Sequence, residues 1–196
     1  AGFTLMGVLA MMVIPGSFDA QNDEFTVYGA ATLVQSDSNG EEVFSQTVHN
    51  RVVDTGEEFL LDNVFQDGNT ATADNEQIGA ICISNDSTAV VEGLTAATFD
   101  TNNTFTEANC IEDTTVTTAS GTAVIGPLTF TCGGTNCAND DTINQIGICQ
   151  SDTTDDTDFN NCATEGILFA AVITSATTLA ASETVDITYT FDITSA

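Results

Sequence analysis

The chain has 196 residues, enough for one or two domains with a real core, and at 42% hydrophobic it is not disordered by composition. It carries 29 acidic residues against a single basic one, Arg51, for a formal net charge of −28. Such a chain has no cationic surface to displace counterions, which sets aside nucleic acid and, on the same ground, direct binding to anionic lipid. Acidity of this kind suits salty water or an acidic surface layer, and it also offers hard oxygen ligands to Ca²⁺.

The first fourteen residues, AGFTLMGVLAMMVI, contain no charge and stop at Pro15-Gly16. As a signal peptide the run lacks a preceding basic residue, and Phe18-Asp19-Ala20 is a poor small-x-small cleavage site. As a membrane span it is short of the about 20 residues that cross about 30 Å. Two readings stay open, a helix packed in a filament core and an extended strand donated to a neighbouring subunit. As a strand the segment reaches about 46 Å, as a helix about 21 Å. Phe3, Leu5, Leu9, Met11 and Val13 would line one face, and Met6, Val8, Ala10, Met12 and Ile14 the other. A strand apolar on both faces is one buried on both faces. Insertion between the sheets of another subunit supplies that burial.

After a polar linker from Ser17 to Glu24, Phe25, Val27 and Leu33 mark a strand over about 24–35. Asn39-Gly40 is a hairpin turn, and Val43 to Val53 returns as a second strand. Phe44, Val48 and Val52 would share one of its faces, Thr47 and His49 the other. Asp54 to Glu58 starts a helix, with Thr55 and Glu58 at capping-box spacing. Leu60 with Val64 and Leu61 with Phe65 share helix faces, and Asp67-Gly68-Asn69 ends the element. This single short helix is expected to close one end of a sandwich. The rest reads as strands: 77–84, 89–94, 114–118, 124–131, 143–150, 166–174 and 183–193. In the last, Val185, Ile187, Tyr189, Phe191 and Ile193 alternate with polar residues, one face core and one face solvent. The expected architecture is all-β: one Ig-like or jelly-roll-like sandwich over 17–196, preceded by an apolar assembly segment at 1–16.

Six cysteines suggest export and an oxidising compartment. Gln77-Ile78-Gly79-Ala80-Ile81-Cys82 resembles Gln145-Ile146-Gly147-Ile148-Cys149, and each is followed by a polar excursion and an Asn-Cys pair, Asn109-Cys110 and Asn161-Cys162. If the halves are related, their bridges should be too. The repeat therefore predicts Cys82–Cys110 and Cys149–Cys162, leaving Cys132–Cys137 to close the turn between them; six cysteines allow 15 pairings, so the choice rests on the repeat. Without a C-x₂-C pair or a nearby His, zinc is not expected. Two sequons, Asn85-Asp86-Ser87 and Asn102-Asn103-Thr104, fall in polar stretches that would tolerate a glycan.

No catalytic constellation is legible, and no enzyme is expected. His49 is the one imidazole, there is no Lys, and neither phosphate-loop nor dinucleotide fingerprint occurs. The best ligand-like cluster is Asp152, Asp155, Asp156 and Asp158, four carboxylates inside the expected Cys149–Cys162 loop. They would suit Ca²⁺, against the plainer reading of a solvated acidic loop. No other cofactor is expected.

Gly2-Phe3-Thr4-Leu5 resembles the start of type IV pilins, and His49 to Asn69 resembles sequence of archaeal surface proteins. A rigid, disulfide-stapled, acidic sandwich with an apolar leading segment resembles in layout the archaeal and bacterial surface fibres of the TasA-like and bundling-pilus type, assembled by donor-strand complementation. The resemblance implies an extracellular, cell-surface filament of identical subunits serving adhesion or biofilm formation. The rival expectations are a viral capsid or tail subunit and a secreted, surface-anchored binding module.

Overall fold

The computed structural model describes residues 25–65, 76–106, 108–113, 115–152, 161–165 and 167–195. Within them two antiparallel sheets face one another. The first runs β2 (Glu42–His49), β1 (Phe25–Ser36), β10 (Thr184–Ser195), β7 (Thr122–Thr131), β6 (Thr117–Ala119). The second runs β3 (Arg51–Val52), β9 (Leu168–Leu179), β8 (Asp141–Asp152), β4 (Glu76–Ser84), β5 (Cys110–Glu112). The molecule is an all-β sandwich.

Period-two alternation builds the core. On β10 Val185, Ile187 and Tyr189 are buried, and β1 lays Leu33 opposite Ile187 and Ala31 opposite Tyr189. Ile125 and Phe130 from β7 complete that wall. The facing sheet contributes Ile81, Ile83, Ile143, Ile146, Ile148 and Leu179, each at most 1% exposed. Each such side chain stabilises the fold by about 1.5–3 kcal/mol relative to leaving it in water.

The hairpin falls where Asn39-Gly40 placed it. Gly40 has φ +82°, a conformation glycine adopts without strain. The Asp37 carboxylate accepts the N–H of Asn39 at 2.8 Å and of Glu41 at 2.9 Å. The Glu41 bond, with those from Asn39, holds the carboxyl below its ordinary value.

Four expectations need correction. The segment 43–53 is not one strand: it breaks at Asn50, where the chain leaves the first sheet for the second. Asn50, half-buried, donates its N–H to Gly29 O at 3.0 Å and its Nδ2 to the buried Tyr189 hydroxyl at 2.8 Å. A Cβ on Gly29 would lie 2.1 Å from Asn50 Oδ1 and 2.3 Å from the Tyr189 hydroxyl, so a larger residue there would displace both side chains and their bond. Secondly, the Thr55–Glu58 capping box does not form. α1 (Asp54–Phe65) starts two residues before a Thr55 cap would place it, Val53 O accepts from Gly56 and Glu57, and the Thr55 hydroxyl donates instead to Leu168 O at 2.7 Å. The expected stop at 67–69 lies outside the described residues. α1 packs on β9, with Phe59 and Leu60 against the core.

Thirdly, α1 is not the sole helix. Thr95 caps α2 (Ala96–Asn102), accepting the Thr98 N–H at 3.2 Å, and α2 buries Ala96 and Phe99; a single further turn, α3, spans Cys162–Glu165. Fourthly, 89–94 is not a strand. Asp86 draws the Thr88 N–H and hydroxyl into a local turn, and Leu94 N closes another on Val91 O.

Candidate functional site

Among the described residues, one flank of the sandwich is unfinished. β9 pairs with β8 along its length, from Leu168 opposite Cys149 to Leu179 opposite Asp141. On its other side β3 covers only Ala170 and Ala171. From Val172 to Leu179 no described strand lies beside β9. An uncovered edge presents backbone donors and acceptors that need partners.

Two glutamines supply them. Gln46 projects from β2, where Oε1 accepts the Ser175 N–H at 3.1 Å and Nε2 faces Ser175 O at 3.5 Å. Gln35 projects from β1, and its Nε2 donates to Thr178 O at 3.1 Å and to the Glu183 carboxylate at 3.1 Å. Both are polar residues set in otherwise apolar alternating rows. Gln35 continues Ala31 and Leu33 on β1, while Gln46 separates Phe44 from Val48 on β2. A carboxamide carries one donor and one acceptor, the same pair a passing backbone would offer. Apolar surface lies beside this seam. Phe44 (36% exposed) and Val43 (56%) start β2, and Ile173 (38%) stands two residues from Ser175.

The opposite flank is bridged between the sheets, where β5 pairs Ala80 to Cys82 and β6 pairs Thr122 to Val124. The chain crosses there from β5 to β6, and the Asp113 carboxylate ties the crossing to β7. It accepts Gly126 N–H at 2.7 Å, Thr115 N–H at 2.8 Å and the Thr115 hydroxyl at 3.0 Å. Burial alone would raise this carboxyl, but the three donors outweigh it and hold it below the ordinary value.

The cysteines form three bridges, Cys82–Cys110, Cys132–Cys137 and Cys149–Cys162. Cys82 and Cys110 are register partners on β4 and β5. The Sγ atoms of Cys82, Cys149 and Cys162 lie within 4.8 Å of one another, so two bridges share one buried cluster with Phe99 and Leu168. Each of these sulfurs is committed to a disulfide and offers no thiolate to a metal. Three disulfides fit an oxidising, extracellular-type environment. Among the described residues no helix is long and apolar enough to cross a membrane.

The sequon residues Asn85 and Asn102 are brought side by side, at the ends of β4 and α2. His49 is exposed on β2. A cleft of about 680 Å³ opens between α2 and α3, lined among others by Asp100, Asn103, Phe105 and Asn161. Asp100 accepts the Ala163 N–H at 2.5 Å, and burial raises its carboxyl above the ordinary value despite that bond. The Ca²⁺ candidates Asp155, Asp156 and Asp158 lie outside the described residues, as does the side chain of Asp152, whose backbone ends β8. The assembly candidates Phe3, Leu5, Leu9, Met11 and Val13 also lie outside them.

Comparison with protein-family models, with curated proteins and with solved structures finds no match.

Proposed function

We propose that this chain is a non-catalytic structural subunit of an extracellular surface filament, and that each copy receives a strand from its neighbour beside β9. The carrying observation is the edge from Val172 to Leu179, whose backbone groups at Ser175 and Thr178 are met by glutamine side chains. An incoming strand would displace those amides and take up the same donors and acceptors.

The donated segment is residues 1–14. Eight residues of edge need about 26 Å of partner strand, well within the about 46 Å this segment reaches when extended. It carries no charge, and the acidic residues begin only at Asp19, so it approaches a body of net charge −28 without repulsion. Burying ten or so of its apolar side chains yields on the order of 20 kcal/mol before entropy and association costs. Such a head-to-tail contact does not close on itself and so builds a fibre. Adhesion or biofilm formation is the role the layout suggests, with Ca²⁺ at Asp152, Asp155, Asp156 and Asp158 as an accessory ligand. The sandwich we class as Ig-like or jelly-roll-like, because the chain crosses repeatedly between sheets and its first and last strands pair.

The test is electron microscopy of the full chain beside a variant lacking residues 1–14. Uniform filaments from the first and dispersed monomers from the second support the proposal. A truncated variant that still polymerises sinks it. A secreted binding module is the second reading, favoured by the cleft between α2 and α3. Its prediction is a full-length monomer that binds a small polar ligand at Asp100.

A further inference from the structure

Both sequons lie inside one disulfide-bounded loop, since Cys82–Cys110 encloses residues 83–109. The fold locks them against each other. Asn85 donates Nδ2 to the Thr104 hydroxyl at 2.5 Å and accepts the Thr104 N–H on Oδ1 at 3.0 Å. Its backbone oxygen accepts from Asn144 Nδ2 at 2.8 Å, which fastens the contact to β8. In the other direction Asn102 donates Nδ2 to the Asp86 carboxylate at 3.0 Å. The first sequon's Asn thus holds the second sequon's hydroxyl residue, and the second sequon's Asn holds the first sequon's middle residue.

The two asparagines are not equivalent. Asn85 is half-buried, and both atoms of its carboxamide are engaged by Thr104. Asn102 is exposed at the end of α2, where Nδ2 bonds the Asp86 carboxylate. Each carboxamide nitrogen has a second hydrogen to give up, but on exposed Asn102 a sugar can extend into solvent while the other hydrogen keeps the Asp86 bond, whereas Asn85 is half-buried with Oδ1 engaged as well. A sugar on Asn85 would instead crowd the Thr104 contact.

The geometry points to Asn102 as the N-glycan site of the folded, secreted chain, with Asn85 a structural latch that a sugar would keep from closing, and to a transfer that precedes closure of the Cys82–Cys110 loop. Timing follows from Thr104. Recognition of a sequon uses the hydroxyl two residues after the asparagine, and in the folded chain that hydroxyl is held by Asn85. The donor class is an oligosaccharide on a lipid-linked diphosphate. The Asn102 nitrogen forms a bond to the anomeric carbon as the carbon–oxygen bond to phosphate breaks. The lipid diphosphate leaves with the bonding electrons, and the amide proton passes to a base of the transferase.

The test uses the full chain secreted from a host with that donor. With no Lys and one Arg, trypsin maps it poorly, but chymotrypsin cleaves after Phe99 and so separates Asn85 from Asn102. After reduction, the glycan mass is expected on the peptide following Phe99, lost in Asn102→Gln and retained in Ser87→Ala. Both variants leave the Asn85–Thr104 contact in place. A glycan on the Asn85 peptide, or on neither, overturns the assignment. For timing, unglycosylated folded protein is offered donor and transferase before and after reduction. Transfer to Asn102 should be at least about tenfold slower in the oxidised chain, where the loop must open locally first. Equal rates overturn the order of events.

Discussion

Gln46 and Ser175 make, across the corner of the sandwich, the contact that two paired backbones would make: Oε1 accepts the Ser175 N–H at 3.1 Å, and Nε2 faces the Ser175 oxygen at 3.5 Å. The side chain belongs to one sheet and the backbone to the other. It caps an edge that a flat, uncovered strand would leave open to non-specific pairing.

Ser175→Pro separates folding from assembly. The Ser175 N–H points away from β8 and toward Gln46, so proline there costs the internal ladder nothing while removing the outward donor. The variant should remain a folded monomer by circular dichroism and fail to form filaments. Filaments of normal length would show that the β9 edge is not the acceptor.

Tyr189→Phe tests the crossing at Asn50. The hydroxyl that receives Asn50 Nδ2 is buried, and its loss strands a donor between the sheets. The expected cost is about 1–3 kcal/mol by urea denaturation, with little change in m-value. An unchanged midpoint would mean that Asn50 finds another partner.

Gly56→Ala should loosen α1 from β9. A Cβ at position 56 would lie 2.1 Å from the Phe169 carbonyl oxygen, backbone against backbone, so the helix must shift. We expect a loss of about 2 kcal/mol or more, read as a lower Tm, although alanine is the better helix former.

Asp113 gives acid sensitivity of known sign. Its carboxyl is held below the ordinary value in the fold, so its contribution is present above the unfolded value near 3.8 and is lost as pH falls through the lower folded value. Asp113→Asn should therefore lower stability at neutral pH and flatten the stability–pH curve below about pH 4. Asp100, raised by burial, acts in the opposite sense: it costs stability while ionised and ceases to do so as pH falls through its raised value. A curve for Asp113→Asn that parallels the parent's through that window would contradict the role of Asp113.

Much of this was written plainly in the sequence. The alternation from Val185 to Ile193 marks β10, Asn39-Gly40 marks the first hairpin, and the repeat of Gln-Ile-Gly before Cys82 and Cys149 pairs the same cysteines that the fold joins. The break at Asn50 was hidden because Val48 and Val52 both face the core, though in different sheets, and a local pattern cannot register a change of partner. α2 was hidden by its shortness and its threonines, which suit a strand until Thr95 is spent on a cap. The seam has its own signal in the sequence. Gln35 and Gln46 are polar residues set in otherwise apolar alternating rows, and such residues reach for backbone that nothing else covers.

Hydrogen exchange along β9 tests the central claim most directly. The full chain, assembled, is compared with the variant lacking residues 1–14. If a neighbour's strand occupies the edge, the Ser175 amide and the outward-facing amides between Val172 and Leu179 should be strongly protected in the full chain and exchange much faster in the truncated one, where Ser175 keeps only its Gln46 side-chain bond. Equal, rapid exchange of these amides in assembled and truncated protein would show that no strand is donated there.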